Sequence, residues 1–201
     1  MIDQTDIFVG GEADAYYQRN GHRPPYGETL RYFVPHIRPG MKVLEVGCNN
    51  GLNLRWLEEQ IACEGYGAEP SVRAIAGQKN LLRATADRLP YVDESFDVVL
   101  LGFCLYLVDR RRLFHAIAEA HRVLRDGGLL GGWDFRVSAP QKRVYRHHPG
   151  VWSYKMNYAG LWLANPAYTQ IFDDTFEAEG TAIAVWLLRK DEAHAYRITD
   201  G

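Results

Sequence analysis

Residues 43–54, Val-Leu-Glu-Val-Gly-Cys-Asn-Asn-Gly-Leu-Asn-Leu, set one acid inside an apolar run and follow it with two glycines. A strand carrying Glu45, a tight turn from Gly47 through Cys48 and Asn49 to Gly51, and a helix beyond would present bare backbone amides at the strand's carboxyl end. The spacing Glu-x-Gly-x-x-x-Gly departs from the dinucleotide fingerprint, because Asn49 and Leu52 stand where two of its glycines belong. Such a turn cannot press backbone onto a pyrophosphate. It leaves room for a bulkier, less anionic ligand, whose amine Glu45 can bind directly or through water.

Further residues are expected around the same point. Glu69 ends the next short apolar run, 22 residues after Gly47, and precedes Pro70. A carboxylate there can accept hydrogen bonds from both hydroxyls of a ribose. Asp87, in Thr85-Ala86-Asp87-Arg88, is placed to accept from an exocyclic amine such as adenine's; the competing role is an exposed turn acid. Gly102 would let backbone approach the ligand, and Phe103 would wall it, unless Phe103 is simply core.

Residues 133–168 hold eight of the chain's 25 aromatics, nearly twice an even share, which suits a sugar face or a sulfonium. His148, then His147, are the candidate general bases, with Tyr154 beside them. Asp134, at the end of the fifth expected strand, is a competing site residue. A lone histidine is more often structural. No cluster has metal-ligand spacing and no Gly-x-Ser-x-Gly elbow occurs. An N-terminal helix around Glu12–Arg19 would bring Tyr17 and Arg19 over the ligand.

Positioning these groups takes alternating elements. Strands are expected at 41–46, 65–68, 80–84, 96–101 and 129–135. Helices are expected at 52–61 with Trp56 and Leu57 inward, at 72–78 behind Ser71, and from Asp109 to Gly127-Gly128. Phe96–Leu101 lacks alternation, as a strand covered on both faces does. The pattern implies α/β architecture: a doubly wound, Rossmann-like seven-stranded sheet, mostly parallel, closed by an antiparallel hairpin over 172–177 and 183–189. Residues 1–40 form an arm over the site, 41–201 the main domain, and 136–170 a lid insertion. Trp152, Met156, Ala159 and Leu163 fit one face of a lid helix.

With 201 residues, 47% apolar, one substantial core is expected. A net charge of −2 gives no global pull toward nucleic acid or membrane, and Arg110-Arg111-Arg112 reads as a solvated first helical turn. Three unpaired cysteines, a polar acidic start and no apolar run longer than Val98–Val108 suggest a cytoplasmic protein.

Val43–Gly51, Glu69-Pro70-Ser71, Asp87-x-Leu89-Pro90-Tyr91 through Glu94-Ser95-Phe96-Asp97-Val98-Val99, and His121–Gly128 occur in the order found in class I S-adenosylmethionine-dependent methyltransferases. Over about 40–135 the chain resembles their type 11 small-molecule branch. The resemblance implies S-adenosylmethionine as cofactor. Glu45, Gly47 and Gly51, with Cys48 and Asn49 between, would cradle its methionine part. Glu69 and Pro70 would flank the ribose, Ala86, Asp87 and Arg88 the adenine edge, and Gly102 and Phe103 the amine, with Arg19 closing over. The Asp/Asn-Pro-Pro-Tyr/Phe motif of base-amine and glutamine methylation is absent, since Gly102-Phe103-Cys104-Leu105 stands there. Gly11–Asn20 and Tyr145–His148 resemble methylases of nonulosonate and other surface-sugar pathways. The expected activity is therefore methyl transfer to oxygen or nitrogen of a small molecule such as a sugar or sugar nucleotide. A homodimer is compatible with it. Binding without turnover, as a partner subunit or sensor, is the main alternative. RNA or protein methylation and nucleotide-dependent oxidoreduction are weaker ones.

Overall fold

In a computed structural model that describes residues 3–196, the apolar runs become the parallel strands of a central sheet. The strands are β1 (Lys42–Val46), β2 (Glu64–Glu69), β3 (Leu81–Arg83), β4 (Phe96–Gly102), β5 (Leu124–Phe135), β6 (Gln141–Val144), β7 (Trp152–Lys155), β8 (Tyr168–Ala178) and β9 (Thr181–Lys190). The helices are α1 (Gln4–Ile7), α2 (Ala13–Asn20), α3 (Gly27–Leu30), α4 (Leu52–Ile61), α5 (Val72–Ile75), α6 (Leu113–Val123) and α7 (Ala159–Leu163).

Seven strands order as β3-β2-β1-β4-β5-β9-β8, and β9 alone runs against its neighbours. Each residue step along β1 and β4 sends a side chain to the opposite face. Val43, Val98 and Leu100 join α4, Phe33 and Trp133 on one side. Leu44, Val46, Val99 and Leu101 join α6, Trp162 and Trp186 on the other. Burial on both faces explains the lack of alternation in these strands. Leu57 is fully buried on α4, while Trp56 is half-buried at its edge.

Several local expectations change. α5 stops at Ile75, although Ser71 caps it as expected, its Oγ accepting from the Ala74 amide at 3.1 Å. α6 begins at Leu113, without a side-chain cap. Asp109 instead accepts from the amides of Arg111 (2.9 Å) and Gln4 (3.0 Å), which binds the turn to the N-terminal arm. α6 ends at Val123, and Gly127-Gly128 lie inside β5 rather than terminating the helix. Where a lid helix was expected, the chain forms a β-hairpin. β6 pairs with β7 in a two-stranded ribbon and only the short α7 follows, because Val151 and Ser153 are buried in alternation with their neighbours. No helix among the described residues is long and apolar enough to cross a membrane.

Candidate functional site

A deep cavity lies at the carboxyl ends of β1, β2 and β4, the crevice where open parallel sheets take ligands. Its floor is the turn after β1. Gly47 (φ 77°) and Gly51 (φ 73°) adopt left-handed backbone that reverses the chain, and Gly51 hands it to α4. Gly47, Cys48 and Asn49 line the cavity; Gly51 makes the turn but does not face the ligand space. Pro70, Ala86, Gly102 and Phe103 also line it, whereas Arg88 is exposed and points elsewhere.

Two buried carboxylates face this space. Glu45 is 2% exposed, and its Oε1 accepts from Asn53 Nδ2 at 2.6 Å. Its Oε2 is buried with no partner. Burial pushes its pKa up to about 8; the Asn53 hydrogen bond opposes that shift and the charge of Glu69 adds to it. Glu69 is gripped by backbone: Asn49 N–H donates to Oε2 and Ser71 N–H to Oε1, each at 2.9 Å. Burial raises it to about 7 against those two bonds. A cationic group in the cavity would satisfy the orphaned Glu45 oxygen and lower the cost of both buried charges. An aminoacyl nucleoside carrying a sulfonium fits this donor set.

Asp87 lines the cavity but is not free to serve only a ligand. Its Oδ2 accepts from Arg112 Nη1 at 2.8 Å, and Arg112 Nε donates to Asp3 Oδ2 at 2.6 Å. The arginine run is therefore not a solvated helical turn. Arg112 ties the N-terminal arm to the loop after β3. Arg110 donates to the carbonyls of Leu105 and Val108 and lies over the Tyr154 ring, 4.4 Å from its centroid.

The arm supplies Thr5, Phe8, Tyr16, Asn20, Arg23 and Tyr26 to the cavity. The expected Tyr17 and Arg19 are absent from the lining. On α2 one residue step turns a side chain by about 100°, so Tyr16 takes the place expected of Tyr17. Arg19 points away, to the buried Glu12 and the Tyr145 hydroxyl. Asn53, Tyr16 and Arg23 went unread in the sequence. Asn53 alone carried a signal, as a polar residue in the first turn of α4, within reach of an acid on β1.

The proposed bases fare differently. His147 and His148 sit in the turn between β6 and β7, outside the cavity lining. Arg146 donates to His147 Nε2 at 3.2 Å, and His148 Nδ1 lies 2.7 Å from the Pro149 carbonyl oxygen. Tyr154 stands on β7 beneath Arg110, also outside the lining. Asp134, at the end of β5, is 6% exposed. Among the described residues no three His, Cys, Asp or Glu side chains are grouped to hold a metal.

Residues 44–131 match the family model described as a methyltransferase domain. The chain is 38% identical over 101 residues to a protein of Haemophilus influenzae, covering 44% of this chain and 40% of that one. It is 33% identical over 154 residues to a demethylmenaquinone methyltransferase of Tropheryma whipplei, covering 71% of this chain and 59% of that enzyme. The chain thus spans about two-fifths to three-fifths of the length of these curated relatives. Its fold is similar to that of the Burkholderia thailandensis 1,6-didemethyltoxoflavin-N1-methyltransferase, solved with 1,6-didemethyltoxoflavin and S-adenosylhomocysteine. The TM-score is 0.72 at 17% identity, over 94% of this chain and 87% of that one.

Proposed function

We propose that this member of the class I S-adenosylmethionine-dependent methyltransferases holds S-adenosylmethionine in its main cavity and delivers a methyl group to oxygen or nitrogen of a small molecule. The observation that carries the reading is the Glu45 Oε2, buried and unpartnered on a residue that lines the cavity beside the backbone-gripped Glu69. A protein with no cationic ligand for this space would have little reason to leave a carboxylate oxygen so placed.

Glu45 and Asn53, with the turn at Gly47–Asn49, would hold the methionine end. Glu69 would take the ribose hydroxyls; its two backbone bonds fix its orientation before any ligand arrives. Ala86 and Asp87 would border the adenine. When bound, S-adenosylmethionine supplies an electrophilic methyl group on a sulfonium. Phe103 and Tyr26, with ring centroids 5.7 Å apart, and Tyr16 wall the space and exclude water. Holding acceptor and methyl donor aligned accounts for ~7–11 kcal/mol of barrier lowering in well-oriented reactions. Two similar proteins are named for small acceptors, demethylmenaquinone and 1,6-didemethyltoxoflavin, which supports a small molecule over RNA or protein. Aromatic walls accommodate either a sugar's apolar face or a flat ring.

Calorimetry with S-adenosylmethionine and S-adenosylhomocysteine tests the first half, and binding of neither by folded protein would end the proposal. Labelled S-adenosylmethionine incubated with a metabolite extract tests the second, read by mass spectrometry for products heavier by one methylene.

A further inference from the structure

We infer that Arg23, on the N-terminal arm, receives a carboxylate in the main cavity, and that with Glu45 it selects ligands ending in a complete amino acid, ammonium and carboxylate together. The inference rests on the methyltransferase reading above and concerns the same site. It makes Arg23 the residue that tells the intact aminoacyl nucleoside from one that has lost its carboxylate.

Four charged residues line the cavity: Arg23, Glu45, Glu69 and Asp87. Two of them are engaged within the protein. Asp87 accepts from Arg112, and Glu69 accepts from the Asn49 and Ser71 amides. The other two have unused capacity and opposite signs. Glu45 Oε2 is buried without a partner. Arg23 lines the cavity while remaining open to solvent, and among the described residues its guanidinium has no hydrogen bond and no ion pair within 4 Å.

The backbone around Arg23 is pinned at Glu45's end of the cavity. Asn50 Nδ2 donates to the Gly21 carbonyl at 2.9 Å, which fastens one end of residues 21–26 to the glycine turn. The Tyr26 N–H donates to Asn53 Oδ1, also at 2.9 Å, which fastens the other end to the first turn of α4. The same Asn53 holds Glu45 through Nδ2 at 2.6 Å. Pro24 and Pro25 stiffen the stretch between the pins. The Tyr26 ring rests 5.7 Å from Phe103 and 6.1 Å from Trp133. Arg23 thus stands on a short bridge whose far pin is shared with Glu45.

A planar guanidinium donates two parallel N–H bonds to a carboxylate, and a buried carboxylate oxygen accepts from an ammonium. An α-amino acid carries both partners on one carbon. An amine alone leaves Arg23 unused, and a carboxylate alone leaves Glu45 Oε2 orphaned. Glu45 and Glu69 by themselves would favour any cationic nucleoside; Arg23 adds the demand for the acid group. Because Arg23 belongs to the arm and Glu45 to β1, an intact amino-acid end also ties the arm to the sheet.

The test uses S-adenosylhomocysteine and S-adenosyl-3-thiopropylamine, which share nucleoside, thioether and amine and differ by the carboxylate alone. Calorimetry measures both against wild type, Arg23→Met and Arg23→Lys. We expect wild type to bind S-adenosylhomocysteine ~10–30-fold more tightly than the amine, the lower part of the range for a charged hydrogen bond because Arg23 is open to solvent. Arg23→Met should lose that preference entirely, and its affinity for the amine should stay within about twofold of wild type, showing an intact cavity. Arg23→Lys keeps the charge without the fork and should recover part of the preference. Wild type with no preference, Arg23→Met with the preference retained, or Arg23→Met weakened equally toward both ligands overturns the inference. Failure of wild type to bind either ligand would instead strike the functional proposal itself.

Discussion

Replacing Glu45 by glutamine should make the ligand-free protein respond to pH differently while weakening its hold on a cationic ligand. Glu45 is fully buried, and its pKa rises from 4.5 to about 8 on folding. A carboxyl with a raised folded pKa is protonated in the native state while the unfolded chain has already released the proton. Native stability therefore falls as pH rises from about 4.5 to about 8, by ~1.4 kcal/mol for each pH unit. Between about pH 5.5 and pH 7.5 wild type should lose about 3 kcal/mol through this group alone. Glutamine cannot ionise, so Glu45→Gln escapes that loss. Its amide nitrogen then occupies the place of the unpartnered Oε2, a constant cost of ~1–3 kcal/mol. The diagnostic quantity is thus the change in the stability difference with pH, read from urea unfolding at the two pH values. The difference should shift in the variant's favour by about 3 kcal/mol. In calorimetry the variant should bind S-adenosylmethionine ~10–150-fold more weakly, the worth of one charged hydrogen bond. Parallel pH dependences in the two proteins would show that Glu45 is solvated and not held as described.

Glu69→Ala should weaken S-adenosylmethionine by ~1.5–3 kcal/mol in calorimetry, since it removes the acid held by the Asn49 and Ser71 amides. Gly102→Ala would put a methyl group 2.0 Å from Trp133 Cζ2, so urea unfolding should show a loss of ~1–3 kcal/mol, and unchanged stability would mean that β4 and β5 are less closely packed. His148→Ala should keep methyl transfer from labelled cofactor within about threefold of wild type, because the imidazole turns to Pro149 outside the cavity; a loss beyond ~10²-fold would return it to the chemistry.

The sheet was legible where burial is one-dimensional. β1 and β4 are covered on both faces, so their apolar runs carry no competing period, and the glycine turn after β1 has one geometry. The hairpin over 141–155 was not legible, because Trp152, Met156, Ala159 and Leu163 satisfy a helical period as well as part of a strand one. The hairpin is decided by pairing between Gln141–Val144 and Trp152–Lys155, which no local pattern states. Gly127-Gly128 misled for a related reason. Two glycines end helices often, but here β4 pairs across them and draws them into β5. In the site, Glu45 and Glu69 were readable because strand ends converge in this topology. Tyr16 and Asn53 were not, since their place depends on the arm's rotation about α2 and on a side-chain bond across the turn.

The histidines drew attention as chemistry-bearing residues, yet residue type is informative only where the fold buries it. Glu45, Glu69 and Asp134 are each nearly all buried, and each is raised well above an ordinary carboxylate. His147 is exposed and His148 half-buried, in a turn outside the cavity lining. Burying the charged forms of these acids costs stability, which protonation, hydrogen bonding or a cationic ligand offsets. Glu45 and Glu69 also set a direction. Under the proposed function, Glu45 and Glu69 in their ionised forms would favour the more positive of two ligands of similar shape, a sulfonium over the neutral thioether left after methyl loss. The same field would then load the site and loosen its product. Removing one of the two charges should narrow the gap in affinity between S-adenosylmethionine and S-adenosylhomocysteine as well as lower both.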